Sequence, residues 1–324
     1  MADAQIPVTV LTGYLGAGKT TLLNRILSED HGKKYAVVIN EFGELGVDND
    51  LVVDADEEVF EMNNGCICCT VRGDLIRIVG GLVKRGKLDG IIVETTGLAN
   101  PAPVAQTFFV DDTVREKARL DAIVTVVDAK HLLARLADSH EAADQVAFAD
   151  VIVLNKLDLV TPGELAEVEA RIRAINPTAR IHQATRGNVP IDELLGLGAF
   201  NLERVLEREP DFLTDDTHEH GDEVRSVSFE VERPVDPERF NAWISTLLAE
   251  QGQDLLRTKG ILAYPGETRR FAFQAVHMIA DGAFVGAWPP GPRRSRIVFI
   301  GRNLNRPKLR RGFEACQVPE KAAA

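Results

Sequence analysis

Three segments of this 324-residue chain carry residue types at spacings suited to chemistry. The first is GYLGAGKTT, Gly13 to Thr21, which satisfies G-x-x-x-x-G-K-[ST] between an apolar run and an amphipathic stretch. Gly13, Gly16 and Gly18, with Ala17 between the last two, let the backbone turn its N–H groups towards phosphate oxygens. The start of the following helix adds positive potential there. Lys19 then reaches the β- and γ-phosphates, Thr20 holds Mg²⁺ through its hydroxyl, and Thr21 closes the motif. A nucleoside triphosphate is the expected ligand.

The second segment pairs IIVETTG, Ile91 to Gly97, with NKLD, Asn155 to Asp158. An acid at the end of a buried strand sits where it can serve the magnesium shell, and a glycine three residues later can offer its N–H to the γ-phosphate. Glu94 and Gly97 fill these places, with Glu94 able to act through a water or to orient the attacking one. In NKLD, which also brings Lys156, the Asp158 carboxylate can accept two hydrogen bonds from guanine, whereas adenine presents the wrong edge. The expected nucleotide is therefore GTP. Ala184 and Thr185, after the next strand, are placed to brace the base.

The third segment is EMNNGCICCTVRGDL, Glu61 to Leu75, with Cys66, Cys68 and Cys69 in four positions and only Cys316 elsewhere. Leu75, Ile78, Val79 and Leu82 follow at helical spacing, so a helix is expected to begin near Thr70. Thiols at its N-terminus are biased towards thiolate, and three thiolates suit Zn²⁺. A closed structural zinc site has four protein ligands, and this segment offers three. An incomplete shell is what a transferable metal needs.

Ile39 to Val53, INEFGELGVDNDLVV, falls where nucleotide switches place a loop against the γ-phosphate. Glu41, Glu44 and Asp48 could there serve magnesium, the attacking water or a carried metal; Glu41, Lys19 and Glu94 are the candidate catalytic residues. Asp128 reads as a cap for the helix after it. His218 and His220 have metal-friendly spacing but sit in a polar linker. His277 and Trp288 read as core or surface residues, and Cys316 as a thiol without a partner.

These segments need a scaffold, and the rest of the chain supplies one. Val8 to Thr12, Tyr35 to Asn40, Gly90 to Glu94, Ala122 to Asp128 and Asp150 to Asn155 are continuous β-branched runs with amphipathic stretches between them. Runs of this kind read as strands covered on both faces. The expected fold is α/β, a P-loop domain over 1–206 with a mostly parallel sheet and helices on both faces. An acidic linker over 207–223 leads to a smaller α+β domain over 224–310, in which RSVSFEVERP, RRFAFQAV and RIVFIG read as strands and PERFNAWISTLLAEQ as a helix, and to a tail over 311–324.

A formal charge of −12 argues against a nucleic-acid footprint, and the basic stretch Pro289 to Phe313 reads as a solvated terminal face. Hydrophobic residues make up 45% of the chain without any run of about 18 that could span a membrane. Four cysteines, two of them adjacent, do not suggest a disulfide framework. A soluble, cytoplasmic protein is expected.

Taken together, GYLGAGKTTLLNRIL, NEFGELGVD, NNGCICCTVRGDL, ETTGLANPAP, NKLDL and, further on, SFEVERPVDPERFNAWI with IVFIGRNL resemble the CobW family of metal-chaperone P-loop GTPases. The family also includes nickel chaperones for hydrogenase and urease. The resemblance covers nearly the whole chain, and C-x-C-C is its most specific part. It implies an N-terminal GTPase domain, a CobW-type C-terminal domain, and metal binding at Cys66, Cys68 and Cys69 coupled to the state of the nucleotide. It also leaves room for a nucleotide- or metal-dependent homodimer. Where many relatives have a long histidine-rich stretch, this chain has only His218 and His220.

The expected function is a GTP-hydrolysing metallochaperone that carries Zn²⁺ to a client metalloprotein. The rivals are a P-loop kinase with structural cysteines, a metal-sensing regulatory interaction protein, and the same machine carrying cobalt or iron, for cobalamin synthesis or nitrile hydratase maturation.

Overall fold

The computed structural model describes residues 5–39, 59–61, 70–85, 88–199 and 224–319. The chain divides into two compact units, Met1–Arg173 with Ala179–Asn201, and Ala174–Thr178 with Leu202–Ala324.

Among the described residues seven strands form the sheet of the first unit: β1 (Ile6–Thr12), β2 (Tyr35–Ile39), β3 (Val59–Glu61), β4 (Gly90–Glu94), β5 (Ala118–Asp128), β6 (Val151–Asn155) and β7 (Arg180–Gln183). Their order is β3-β2-β4-β1-β5-β6-β7 and every pairing is parallel. Parallel neighbours require crossovers. These carry helices α1 (Lys19–Ser28), α2 (Thr70–Arg85), α3 (Ala102–Val110), α4 (Asp112–Lys117), α5 (Leu132–Asp138), α6 (His140–Phe148) and α7 (Pro162–Ile175). Every residue of β2, β4 and β6 is buried, as a sheet covered on both faces requires. The expected start of α2 at Thr70 is observed, with Leu75, Val79 and Leu82 buried.

Strand β5 begins four residues before the apolar run suggested, because Asp121 breaks the hydrophobic pattern without breaking the strand. Its buried carboxylate accepts hydrogen bonds from the amides of Leu197 (2.9 Å) and Gly198 (2.7 Å). A buried charge is tolerated when it is satisfied in this way.

The second unit is an antiparallel sheet of β8 (Arg225–Val231), β9 (Leu255–Leu262), β10 (Arg269–Val276), β11 (Ile279–Ala287) and β12 (Ser295–Gly301), in the order β11-β10-β9-β12-β8. Helices α8 (Pro237–Gln251) and α9 (Arg306–Ala315) complete it. Asp236 starts α8, its carboxylate accepting from the amides of Glu238 and Arg239, both at 3.0 Å. Phe229, Phe240, Phe273, Phe299, Leu309 and Phe313 share one core, with Phe240 and Phe273 packed edge to face at 5.2 Å.

Two expectations for this unit are corrected. The stretch from Pro289 to Phe313 is not simply a solvated face: Ile297 to Ile300 are buried in β12, between β9 and β8. Nor does a tail begin at residue 311. Leu309 and Phe313, one helical turn apart, anchor α9 in the core while Lys308, Arg310 and Arg311 face solvent. Beyond the helix, Val235 bridges to Gln317, and the Val318 amide donates to the Pro234 carbonyl at 2.9 Å. The basic residues hid a narrow apolar stripe.

Cys316 is buried in the same core, its thiol donating to the Gly312 carbonyl at 3.2 Å. Burial pushes the thiol up to about 11 from an ordinary 9. The folded state therefore keeps this proton while the unfolded chain loses it, and this group's contribution to stability falls as pH rises from about 9 to about 11. In native protein Cys316 is expected to resist iodoacetamide at pH 8 and to label only on denaturation; mass spectrometry of the C-terminal peptide before and after urea checks this.

Candidate nucleotide site

The loop between β1 and α1 has the backbone its glycines were expected to permit. Gly13, Gly16 and Gly18 all have positive φ, at 141°, 73° and 110°. Gly13 also lies so close to β5 that a Cβ there would stand 2.2 Å from the Val126 carbonyl oxygen. The Lys19 ammonium is buried in the curve of the loop and donates to the Gly13 carbonyl at 2.8 Å. Thr20, the second residue of α1, is half-buried, and Thr21 is exposed.

Glu94 ends β4 beside Leu11 of β1 and is buried to 8% exposure. Next to it the Thr95 hydroxyl donates to the Thr12 hydroxyl at 2.8 Å. Gly97 touches the phosphate loop itself, since a Cβ there would come 2.7 Å from the Leu15 amide nitrogen. Its carbonyl accepts from Gln145 Nε2 at 3.1 Å. The strand-end acid and the loop are thus neighbours across β1, as their sequence roles require.

Within NKLD the four residues do different things. Asn155 is buried and fully engaged: its Nδ2 donates to the Ala17 carbonyl and its Oδ1 accepts from the Gly187 amide, both at 3.0 Å. It therefore braces the phosphate loop against the loop after β7. Lys156 has the left-handed φ of 63°, and its ammonium donates to Asp128 at 2.8 Å. Asp158 is exposed in the short 3₁₀ turn Leu157–Leu159, which is tied back by the Leu157 amide donating to the Ala184 carbonyl at 3.2 Å. Ala184 is buried and Thr185 exposed beside this turn.

Two contributors were not expected from the sequence. Arg25 of α1 reaches across to the same loop, donating to the carbonyls of Gly187 (2.7 Å) and Val189 (2.6 Å). Gln145 of α6 also donates to the Ala99 carbonyl at 3.2 Å, holding the segment after Glu94. Asp128 is not the helix cap expected of it, since α5 starts at Leu132 with His131 at its N-cap and no side chain capping it; it accepts instead from the amides of Lys130 (2.9 Å) and His131 (3.3 Å) in the turn before α5, and also takes Lys156 and the His131 ring. Burial alone would raise this carboxyl, but the hydrogen bonds from Lys156 and His131 outweigh it and hold it below the usual range.

Glu41, Glu44, Asp48, Cys66, Cys68, Cys69, His218 and His220 lie outside the described residues. Among the described residues no group of three or more His, Cys, Asp or Glu stands together as a metal site, and no helix is long and apolar enough to cross a membrane.

A glycine-wrapped lysine loop, a buried acid ending the neighbouring strand and an NKLD turn at the carboxyl end of β6 define a P-loop nucleotide-binding domain of the GTPase kind. Residues 7–183 match the family model described as CobW/HypB/UreG, nucleotide-binding domain, and residues 224–317 match the Cobalamin synthesis protein cobW C-terminal domain. The chain belongs to this family. It is 35% identical to the zinc chaperone YjiA of Escherichia coli, covering 95% of this chain and 98% of that one. With the zinc chaperone CobW of Pseudomonas aeruginosa it is 37% identical over 93% of this chain and 89% of the relative. The solved Zn(II)-bound YjiA GTPase from E. coli superposes with a TM-score of 0.78 at 31% identity, covering 97% of this chain and all of the other.

Proposed function

We propose that this chain is a cytoplasmic, GTP-hydrolysing metallochaperone that binds Zn²⁺ at Cys66, Cys68 and Cys69 and transfers it to a client metalloprotein, with metal binding coupled to the state of the nucleotide. The observation that carries this reading is connectivity: α2 begins at Thr70, directly after the thiols, and leads into β4, whose last residue Glu94 lies beside the phosphate loop. The zinc-chaperone relatives support the choice of cargo.

In this mechanism Lys19 leaves the Gly13 carbonyl for the β- and γ-phosphates of GTP, so the loop exchanges an internal partner for the ligand. The amides from Gly16 to Thr20 face the phosphates, and Asp158 selects guanine. The Thr20 hydroxyl and the Glu94 carboxylate are hard oxygen donors of the kind Mg²⁺ takes; they would hold the ion, which would supply positive charge to the phosphates. Glu41 and Glu94 orient the attacking water. A nucleotide-dependent homodimer fits this scheme, and a nucleic-acid partner does not.

Linkage requires that if GTP tightens zinc binding, zinc tightens GTP binding by the same factor. The test is a metal titration of protein loaded with non-hydrolysable GTP, GDP or nothing, repeated with Cys66→Ser, Cys68→Ser and Cys69→Ser. Each variant is expected to lose one equivalent of tight zinc, and the GTP form of the unsubstituted chain to bind it about tenfold more tightly than the GDP form, within the usual range of coupling. Unchanged stoichiometry in all three variants would move the metal elsewhere. Equal affinity in every nucleotide state would end the coupling, and stronger cobalt or iron retention would change the cargo.

A further inference from the structure

Asp128 has more partners than a helix cap uses. One carboxylate oxygen, Oδ1, serves the turn by accepting from the amides of Lys130 and His131. The other, Oδ2, accepts from Lys156 Nζ at 2.8 Å and faces His131 Nδ1 at 2.9 Å. The Asp128 side chain is 13% exposed and that of Lys156 32%, so the pair is partly shielded from solvent.

The backbone fixes this geometry. Asp128 and Asn155 are register partners at the ends of the parallel strands β5 and β6, and the Ala129 amide donates to the Asn155 carbonyl at 3.0 Å. Lys156 therefore starts beside Asp128, from a left-handed backbone that a non-glycine residue adopts only when its surroundings insist. Asp128 and Lys156 line a cavity of about 300 Å³ together with the phosphate-loop residues Tyr14, Leu15 and Gly16.

The geometry points to Asp128 as a positioning residue for nucleotide recognition: by holding Lys156 of the NKLD turn at the cavity it shares with the phosphate loop, it sets how tightly the guanine nucleotide is retained. This rests on NKLD serving the guanine nucleotide, as proposed above.

Asp128→Asn separates the two duties of the carboxylate. The amide oxygen can still accept from the Lys130 and His131 amides, but no negative charge is left for Lys156. GTP and GDP affinities of Asp128→Asn, Lys156→Met and the double variant would be measured together with the melting of each nucleotide-free protein. Each single change is expected to weaken GTP binding about tenfold and the double change no more than either, because both remove one unit. The KM of Asp128→Asn should rise about tenfold while its kcat at saturating GTP changes less than threefold. Additive losses, or a lowered melting temperature with unchanged affinity, would leave Asp128 a support for its turn only and overturn the proposal. If Lys156→Met binds GTP normally, the NKLD reading itself falls. If Lys156→Met is weak and Asp128→Asn is normal, only the latch is lost.

Discussion

Gly13→Ala is expected to cost the chain both its GTP binding and much of its stability. At this position φ is 141°, and an added Cβ would stand 2.2 Å from the Val126 carbonyl oxygen and 3.0 Å from the same residue's backbone nitrogen and carbonyl carbon. None of these is a flexible side-chain end that could swing away. Val126 is fully buried in β5, paired on one side with β1 and on the other with β6. The loop must lift instead. That strips Lys19 of the Gly13 carbonyl and turns the phosphate-facing amides out of line. Backbone strain and a forced shift in a packed strand together are worth roughly 3 kcal/mol or more. Urea denaturation should show that loss, and equilibrium binding should show GTP affinity reduced at least a hundredfold. A Gly13→Ala protein with unchanged midpoint and affinity would mean that the loop is not packed against β5 as described.

Lys19→Met should give the opposite signature: chemistry lost and fold retained. Lys19 is 9% exposed, and its ammonium donates to the Gly13 carbonyl at 2.8 Å and to the Tyr14 carbonyl at 3.5 Å. Removing it relieves the cost of burying a charge while the methionine stem keeps the packing, so the urea midpoint should stay or rise slightly. Loss of a preorganised charge at a phosphoryl-transfer site costs on the order of 10³ in rate. Phosphate release from GTP should fall by about that factor. Hydrolysis within tenfold of the unsubstituted rate would remove Lys19 from the catalytic set.

The contrast between these two variants reflects what was legible in the sequence. The phosphate loop is read in nine consecutive residues, and the uninterrupted apolar runs of the first sheet announce buried parallel strands. The braces are not read this way: Asn155 meets Ala17 across 138 positions and Arg25 meets Gly187 across 162, and neither has a local pattern to betray it. In the second unit β9 escaped notice because Arg257 and Lys259 interrupt LLRTKGIL, yet both are buried in the sheet. β11 escaped because Asp281, Gly282 and Gly286 resemble a loop, and its mostly exposed residues suit an edge strand. Periodicity finds elements whose burial is uniform or alternating; it misses a central strand that hides charge and an edge strand that hides little.

The place of β1 in the sheet has a consequence for signalling. On one side of it lie β4, β2 and β3, with the helix that follows the thiols; on the other lie β5, β6 and β7, with the loops assigned to guanine. Under the function proposed above, the base would be held by one half of the domain and the number of phosphates read by the other. Loss of the γ-phosphate would then act on the first group of strands without loosening the second. Hydrolysis would be reported to a metal while GDP is still held, so that letting go of the cargo and letting go of the nucleotide would be separate events in time.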